Sequence, residues 1–210
     1  MHLTCLINYV HHIIGYQSND KDLVDRVLSG DTRVFETVIK NTENLVTRII
    51  FKMIPVSEDR KDVVQDVYLK AYNNLQGFKF RSKLSTWIAQ ITYNTCLSWI
   101  EKKKYSLPGN FSEDEMHNGS TYPIIHGSSP GNESENRIYH KELSIILKKE
   151  IDGLPVIYQT LITLYHHESL SYEELSQITD LPTGTIKSYL FRARKMLKEK
   201  LLSKYKKETL

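Results

Sequence analysis

Residues 183–207 hold nine lysines and arginines against a single acid, Glu199. At helical spacing Lys187, Ser188, Phe191, Arg192 and Lys195 fall on one face, while Ile186, Leu190 and Leu197 fall on the other. Cationic groups around one apolar ring suit a DNA groove. Arg and Lys pair with phosphate oxygens or guanine edges, and a ring can cover a thymine methyl or a sugar. The competing reading is a solvated face, which normally mixes both signs of charge for solubility. Nine against one does not mix them. Further along, Lys200, Lys204, Lys206 and Lys207 read as phosphate or bulk-field charges rather than base readers. Other reactive residue types lack the company they need. Cys5, His11 and His12 do not complete a tetrahedral ligand set. His166 and His167 are adjacent and so point in different directions. Two cysteines, Cys5 and Cys96, cannot build a disulfide framework and fit a reducing compartment. No phosphate-cradling glycine loop, zinc signature or nucleophile elbow occurs, so no catalytic residue, metal, cofactor or small-molecule substrate is expected.

The basic face needs a scaffold, and the preceding residues supply one. Ser171 with Glu174 three residues on forms a capping box, and Leu175 and Ile178 give that short helix a buried side. Asp180-Leu181-Pro182 makes the turn, and a long helix starts at about Thr183. Short helix, tight turn and long basic helix make a helix-turn-helix. Upstream the helical period recurs. Leu23, Val24 and Val27 precede a break at Ser29-Gly30-Asp31, Phe35, Val38 and Ile39 mark a second helix, and Leu45 to Met53 a third. A fourth starts at Ser57 and buries Val63, Val64, Val67, Tyr68 and Ala71. Another starts at Ser85, read as its N-cap, and runs through Trp87, Ile88, Ile91 and Trp99 to Lys104. Helix resumes at about Asn136 and again after Pro155. No useful strand pattern appears, so the predicted fold is all-α: two small helical domains joined by a flexible acidic linker, the C-terminal one a helix-turn-helix.

The 210 residues have a net charge of +3 that hides a strong pattern. Residues 21–104 sum to +5 and residues 137–210 to +4, whereas residues 105–136 sum to −5 without one Lys or Arg. That middle stretch holds four of the nine glycines and three of the six prolines, a composition that cannot order itself by burial. Two basic blocks around an acidic tether make nucleic acid a candidate partner. No apolar run reaches the ~18–20 residues of a spanning helix. The N-terminal stretch 1–20 lacks a basic leader region and reads as a short amphipathic helix or an unstructured leader, so a cytoplasmic protein is expected.

Two motif sets then go together. Asp62 to Tyr72, Phe80-Arg81 and Ser85-Thr86-Trp87-Ile88 to Asn94 resemble the second conserved region of extracytoplasmic-function sigma factors. Leu154-Pro155, Ser171 to Leu175 and Leu181 to Ser188 resemble their fourth region, in the family's order and with a linker between. The resemblance divides the chain into an extension (1–20), a region 2-like domain (21–104), a linker (105–136) and a region 4-like domain (137–210). It implies a non-enzymatic subunit that binds core RNA polymerase, recognises and melts promoter DNA, and is commonly held by an anti-sigma factor. By the same resemblance Asp62, Gln65 and Asp66 face the polymerase; spacing alone would also allow a solvated stripe. Lys79, Arg81, Lys83, Trp87 and Asn94 match the surface that takes the −10 strand, with Trp87 open between a core ring and a wedge. Lys187, Ser188, Phe191, Arg192 and Arg194 match the −35 reader. Tyr189 and Gln90 stand where many relatives carry a basic residue, which lowers the positive charge of both DNA surfaces. The two promoter elements lie on the order of 50–60 Å apart, and the linker can extend to about 105 Å. A solubilising tether is its alternative use. The rival function is a stand-alone helix-turn-helix activator that binds duplex DNA without polymerase.

Overall fold

The computed structural model describes residues 19–106 and 134–205, and among these every regular element is helical. Residues 19–28 form α1. Then come α2 (Val34–Met53), α3 (Ser57–Asn73), a 3-10 turn at Leu75–Gly77, α4 (Leu84–Ser106), α5 (Ser134–Asp152), α6 (Val156–His166), α7 (Tyr172–Thr179) and α8 (Thr183–Tyr205). The expected extension, up to residue 18, and the linker between 107 and 133 lie outside the described residues, as do Lys206 and Lys207. Helix enters the expected linker from both sides, through Ser106 and from Ser134.

Gly30 makes the first corner at φ +105°, a conformation that costs glycine little. The sequence predicts two helices between Phe35 and Met53, but α2 is continuous. The polar stretch from Lys40 to Asn44 does not break it because Thr42 keeps the buried stripe unbroken. Thr42 is 3% exposed, and its hydroxyl donates to the Val38 carbonyl at 2.8 Å and meets the Tyr68 hydroxyl at 3.2 Å. One hydroxyl satisfied inside its own helix makes the position as good as apolar.

Arg60 holds the corner between α2 and α3. The side chain is buried; Nε donates to the Ile54 carbonyl at 2.8 Å, Nη2 donates to the Pro55 carbonyl at 3.0 Å, and the guanidinium lies 4.3 Å from the Phe51 ring centre. A cation here satisfies the carbonyl end of α2 and its negative dipole. Arg60→Ala should therefore cost about 2–4 kcal/mol in urea unfolding, since it orphans two carbonyls and leaves a cavity. Its exposed neighbour Lys61→Ala should stay within about 0.5 kcal/mol. Equal losses from the two variants would contradict this role.

α4 packs against both α2 and α3, with Ile88, Ala89, Thr92 and Cys96 fully buried. Burial pushes the Cys96 thiol up to about 12, so it acts as a small apolar group. In the C-terminal half α6 and α7 pack on α8 around Leu161, Leu164, Leu175, Ile178, Ile186, Leu190 and Ala193. Leu197, expected inward, is only half-buried, and Ala193 takes the inner position. Two α8 cations expected to serve phosphates have internal partners. Lys204 meets the buried Glu150 carboxylate at 2.8 and 3.0 Å, and Lys200 donates to the Gly153 carbonyl. Together they tie α5 to α8. The two halves also touch, α4 against α7 and α2 against α6.

Candidate nucleic-acid interface

The helix-turn-helix is built as its sequence implies. The Glu174 amide donates to Ser171 Oγ at 3.1 Å, and the Ser171 amide donates back to the Glu174 carboxylate at 2.9 Å. Asp180, left-handed at φ +58°, ends α7, and Ser176 Oγ donates to the Leu181 carbonyl at 2.5 Å to fix the turn. Glu174 also takes the Lys83 ammonium at 3.0 Å. Burial alone would raise its carboxyl pKa, but the Ser171 amide and Lys83 outweigh it and hold the group below its ordinary value. Because folding lowers this pKa, the stabilisation is complete above the unfolded glutamate value and disappears as pH falls through the folded one. Between about pH 5 and 3, Glu174→Gln should thus show a flatter melting-temperature profile than the parent chain. Parallel profiles would contradict a working carboxylate at this position.

On α8, Lys187, Ser188, Phe191, Arg192 and Lys195 all face solvent, and Phe191 is 68% exposed. An exposed phenylalanine among cations is an unfinished surface. The predicted face is partly braced from behind. The Lys187 ammonium lies 5.4 Å from the Tyr172 ring, and the Arg194 guanidinium 5.3 Å from the Tyr165 ring. The two tyrosines stack at 5.1 Å and 17°. Arg194 also donates to His166 Nε2 at 3.3 Å. Burial, with the Arg194 charge second, lowers the His166 pKa and favours that accepting form. Arg194 is thus turned toward α6, while Arg192 projects outward. The Ser188 hydroxyl donates to the Gly184 carbonyl at 2.9 Å, leaving its oxygen free to accept.

The second surface surrounds the start of α4. Lys79 and Arg81 are exposed, Lys83 is half-buried against Glu174, and Asn94 is exposed two turns along from Trp87 on the same face. Trp87 is half-buried with its ring 5.2 Å from Phe78, which in turn lies 4.7 Å from Phe80. The ring is a partner of the core that keeps an exposed edge. Phe80, inside the Lys79–Lys83 loop, sits at φ +54°, an uncommon conformation for a residue with a side chain. The expected Ser85 cap is corrected: α4 begins at Leu84, whose amide donates to the Asp20 carboxylate of α1 at 2.8 Å. Burial raises the Asp20 pKa against the lowering effects of that amide and of Lys83. A cap from a residue 64 positions away has no local sequence signal.

The third surface is one side of α3. Asp62, Gln65 and Asp66 are exposed on it, with Leu69 60% exposed next to them. Asp59, on the same side, is half-covered by Lys103 at 3.3 Å, and Lys103 lies 5.2 Å from the Trp99 ring. His166 and His167 diverge, His166 toward Arg194 and His167 toward Arg48.

The family model for "Sigma-70 region 2" matches residues 38–105, which contain the second and third surfaces, and that for "Sigma-70, region 4" matches 144–197, which contain the first. The ECF RNA polymerase sigma-E factor of Haemophilus influenzae is 32% identical over 186 residues, covering 88% of this chain and 96% of that protein. The chain belongs to the extracytoplasmic-function sigma factors. The sigma-E factor of Escherichia coli K12 is also 32% identical, over 88% of this chain and 95% of its own. Two solved structures share the fold. CnrH in complex with the cytosolic domain of CnrY gives a TM-score of 0.58 at 17% identity over 88% of this chain and 98% of that one. The sigma factor RpoE in complex with the anti-sigma factor NepR from Bartonella quintana gives 0.56 at 23% identity, over 81% and 98%. As a sigma factor this chain binds core RNA polymerase and promoter DNA and directs promoter-specific initiation. Among the described residues no helix is long and apolar enough to cross a membrane.

Proposed function

We propose that the three surfaces divide the work of initiation. The α3 stripe, Asp62, Gln65 and Asp66, docks on a basic helix of the polymerase. The loop Lys79–Lys83 with Trp87 and Asn94 holds the unpaired −10 strand, where stacking and hydrogen bonding return about 1–3 kcal/mol per base against the cost of opening. Lys187, Ser188, Phe191 and Arg192 read the −35 duplex, with Arg194 beside them on the phosphates. The domains follow the same division, 21–104 and 137–210, with residues 105–136 as the spanning tether. The chain acts in the cytoplasm as a non-catalytic subunit, takes no small-molecule substrate and has an anti-sigma factor as a further partner. That last point is supported by the two similar sigma factors, whose structures contain CnrY and NepR.

The observation that carries this reading is Phe191, 68% exposed between outward Lys187 and Arg192 on the helix that follows a capped turn. In holoenzyme on a cognate promoter, Lys79→Ala with Arg81→Ala should reduce permanganate reactivity of −10 thymines while leaving protection of the −35 duplex intact. Loss of both together, or of neither, would count against the division.

A further inference from the structure

Among the described residues three ion pairs join the two halves of the chain, and all run in the same sense. Arg48 of α2 places Nε 2.5 Å from Glu168, Lys52 of α2 meets Asp152, and Lys83 meets Glu174 at 3.0 Å. Each cation belongs to the N-terminal half and each acid to the C-terminal half. The acids are well covered, with side-chain exposures of 19%, 21% and 19%. Arg48 also donates to the His167 ring at 2.7–2.8 Å. Arg48 and Lys52 are one turn apart on α2, on the side that the C-terminal half covers.

This packing cannot be the form that reads a promoter. Helices in contact, as α4 and α7 are here, lie about 8–10 Å apart. Elements one and a half turns of DNA apart need on the order of 50–60 Å between their readers. The halves must separate, and separation takes Glu168, Asp152 and Glu174 away from Arg48, Lys52 and Lys83 together. Three cations on one side of a module, one of them already in the −10 loop, form a surface whose natural counter-charge is phosphate. The α3 stripe is exposed in the packed form, so docking on polymerase does not have to wait for opening.

We propose that the chain rests closed, with Asp152, Glu168 and Glu174 occupying a nucleic-acid phosphate site made by Arg48, Lys52 and Lys83. The acids stand where phosphates go, and the site becomes available only when the halves part. The Lys83 end of the site rests on the reading of the −10 loop; Arg48, Lys52 and the closure itself do not.

The test uses the full chain with Asp152→Asn, Glu168→Gln and Glu174→Gln combined, which keeps every cation. Small-angle scattering should show a larger radius of gyration than the parent, at unchanged helix content by circular dichroism. Affinity for a short labelled single-stranded DNA of mixed sequence should rise about tenfold, roughly twofold for each cation that loses its acid. Adding Arg48→Ala and Lys52→Ala should remove most of the gain, leaving only the roughly twofold share of Lys83, while the radius stays large. A compact triple variant overturns the closure; an open one with no gain, or with a gain undiminished by loss of Arg48 and Lys52, overturns the phosphate site. Should the triple variant lose helix, the exchange Lys52→Asp with Asp152→Lys decides. It should re-close a chain that Lys52→Asp alone opens, and failure to re-close counts against the latch. The scattering results involve no promoter, so they stand or fall apart from the permanganate test of the −10 loop.

Discussion

Arg192→Ala is expected to lower holoenzyme affinity for an isolated −35 duplex by about ten- to a hundredfold, the equivalent of one lost bidentate base contact at 1–3 kcal/mol. Arg192 is exposed on α8 and projects outward, whereas Arg194 is turned toward His166 and Tyr165. The two arginines should therefore behave differently. Arg192→Ala should relax discrimination at one base position, and Arg192→Lys should recover the charge without the planar fork. Arg194→Ala should weaken all sequences alike and reduce the slope of affinity against salt by about one phosphate contact. Equilibrium titrations at several fixed salt concentrations distinguish these outcomes. Uniform weakening by Arg192→Ala would move it from base reading to backbone contact.

Asp66→Lys should reduce association with core RNA polymerase by about a hundredfold or more, because it replaces one partner of an interfacial charge pair with a repelling group. The same variant should leave −35 duplex affinity unchanged, since α3 and the α8 face belong to different halves of the chain. Asp66 and Asp62 are exposed, and an exposed acid adds little to the stability of the chain itself. Asp59→Ala is the informative control. Asp59 is partly covered and meets Lys103 at 3.3 Å, so its loss should act on the α3–α4 packing as well as on docking. A competition assay against a labelled sigma factor for core enzyme measures the first effect, and unfolding of the free chain the second. Full polymerase affinity in Asp66→Lys would remove α3 as the docking helix.

What could be read from the sequence was local. The Ser171–Glu174 capping box, the turn at Asp180, the Gly30 break and the one-sided charge of α8 each depend on residues within a few positions of one another, and each is present in the fold. The misses involve partners far along the chain. Asp20 caps a helix 64 positions away, so Ser85 took its place in the sequence reading. Arg60 looks like any exposed helix cation until the carbonyl end of α2 is brought over it. Lys200 and Lys204 read as DNA charges because Glu150 and Gly153 are about fifty positions upstream. Arg48 and Lys52 are two ordinary polar positions of an amphipathic helix, and only the packing of the two halves gives them acidic partners. The continuity of α2 was hidden by five polar residues of which one, Thr42, carries the core side. Of the site residues, the α8 face and the α3 stripe emerge exposed as their spacing implies, while Lys83, Trp87 and Arg194 have protein partners that no motif announces.

Transcription reconstituted from purified core RNA polymerase, this chain and a pool of promoter fragments shows whether the chain directs initiation. Transcripts with defined start sites are expected from a subset of the pool, dependent on the chain and lost with Asp66→Lys. Initiation no higher than core polymerase alone, with the chain intact and folded, would contradict it.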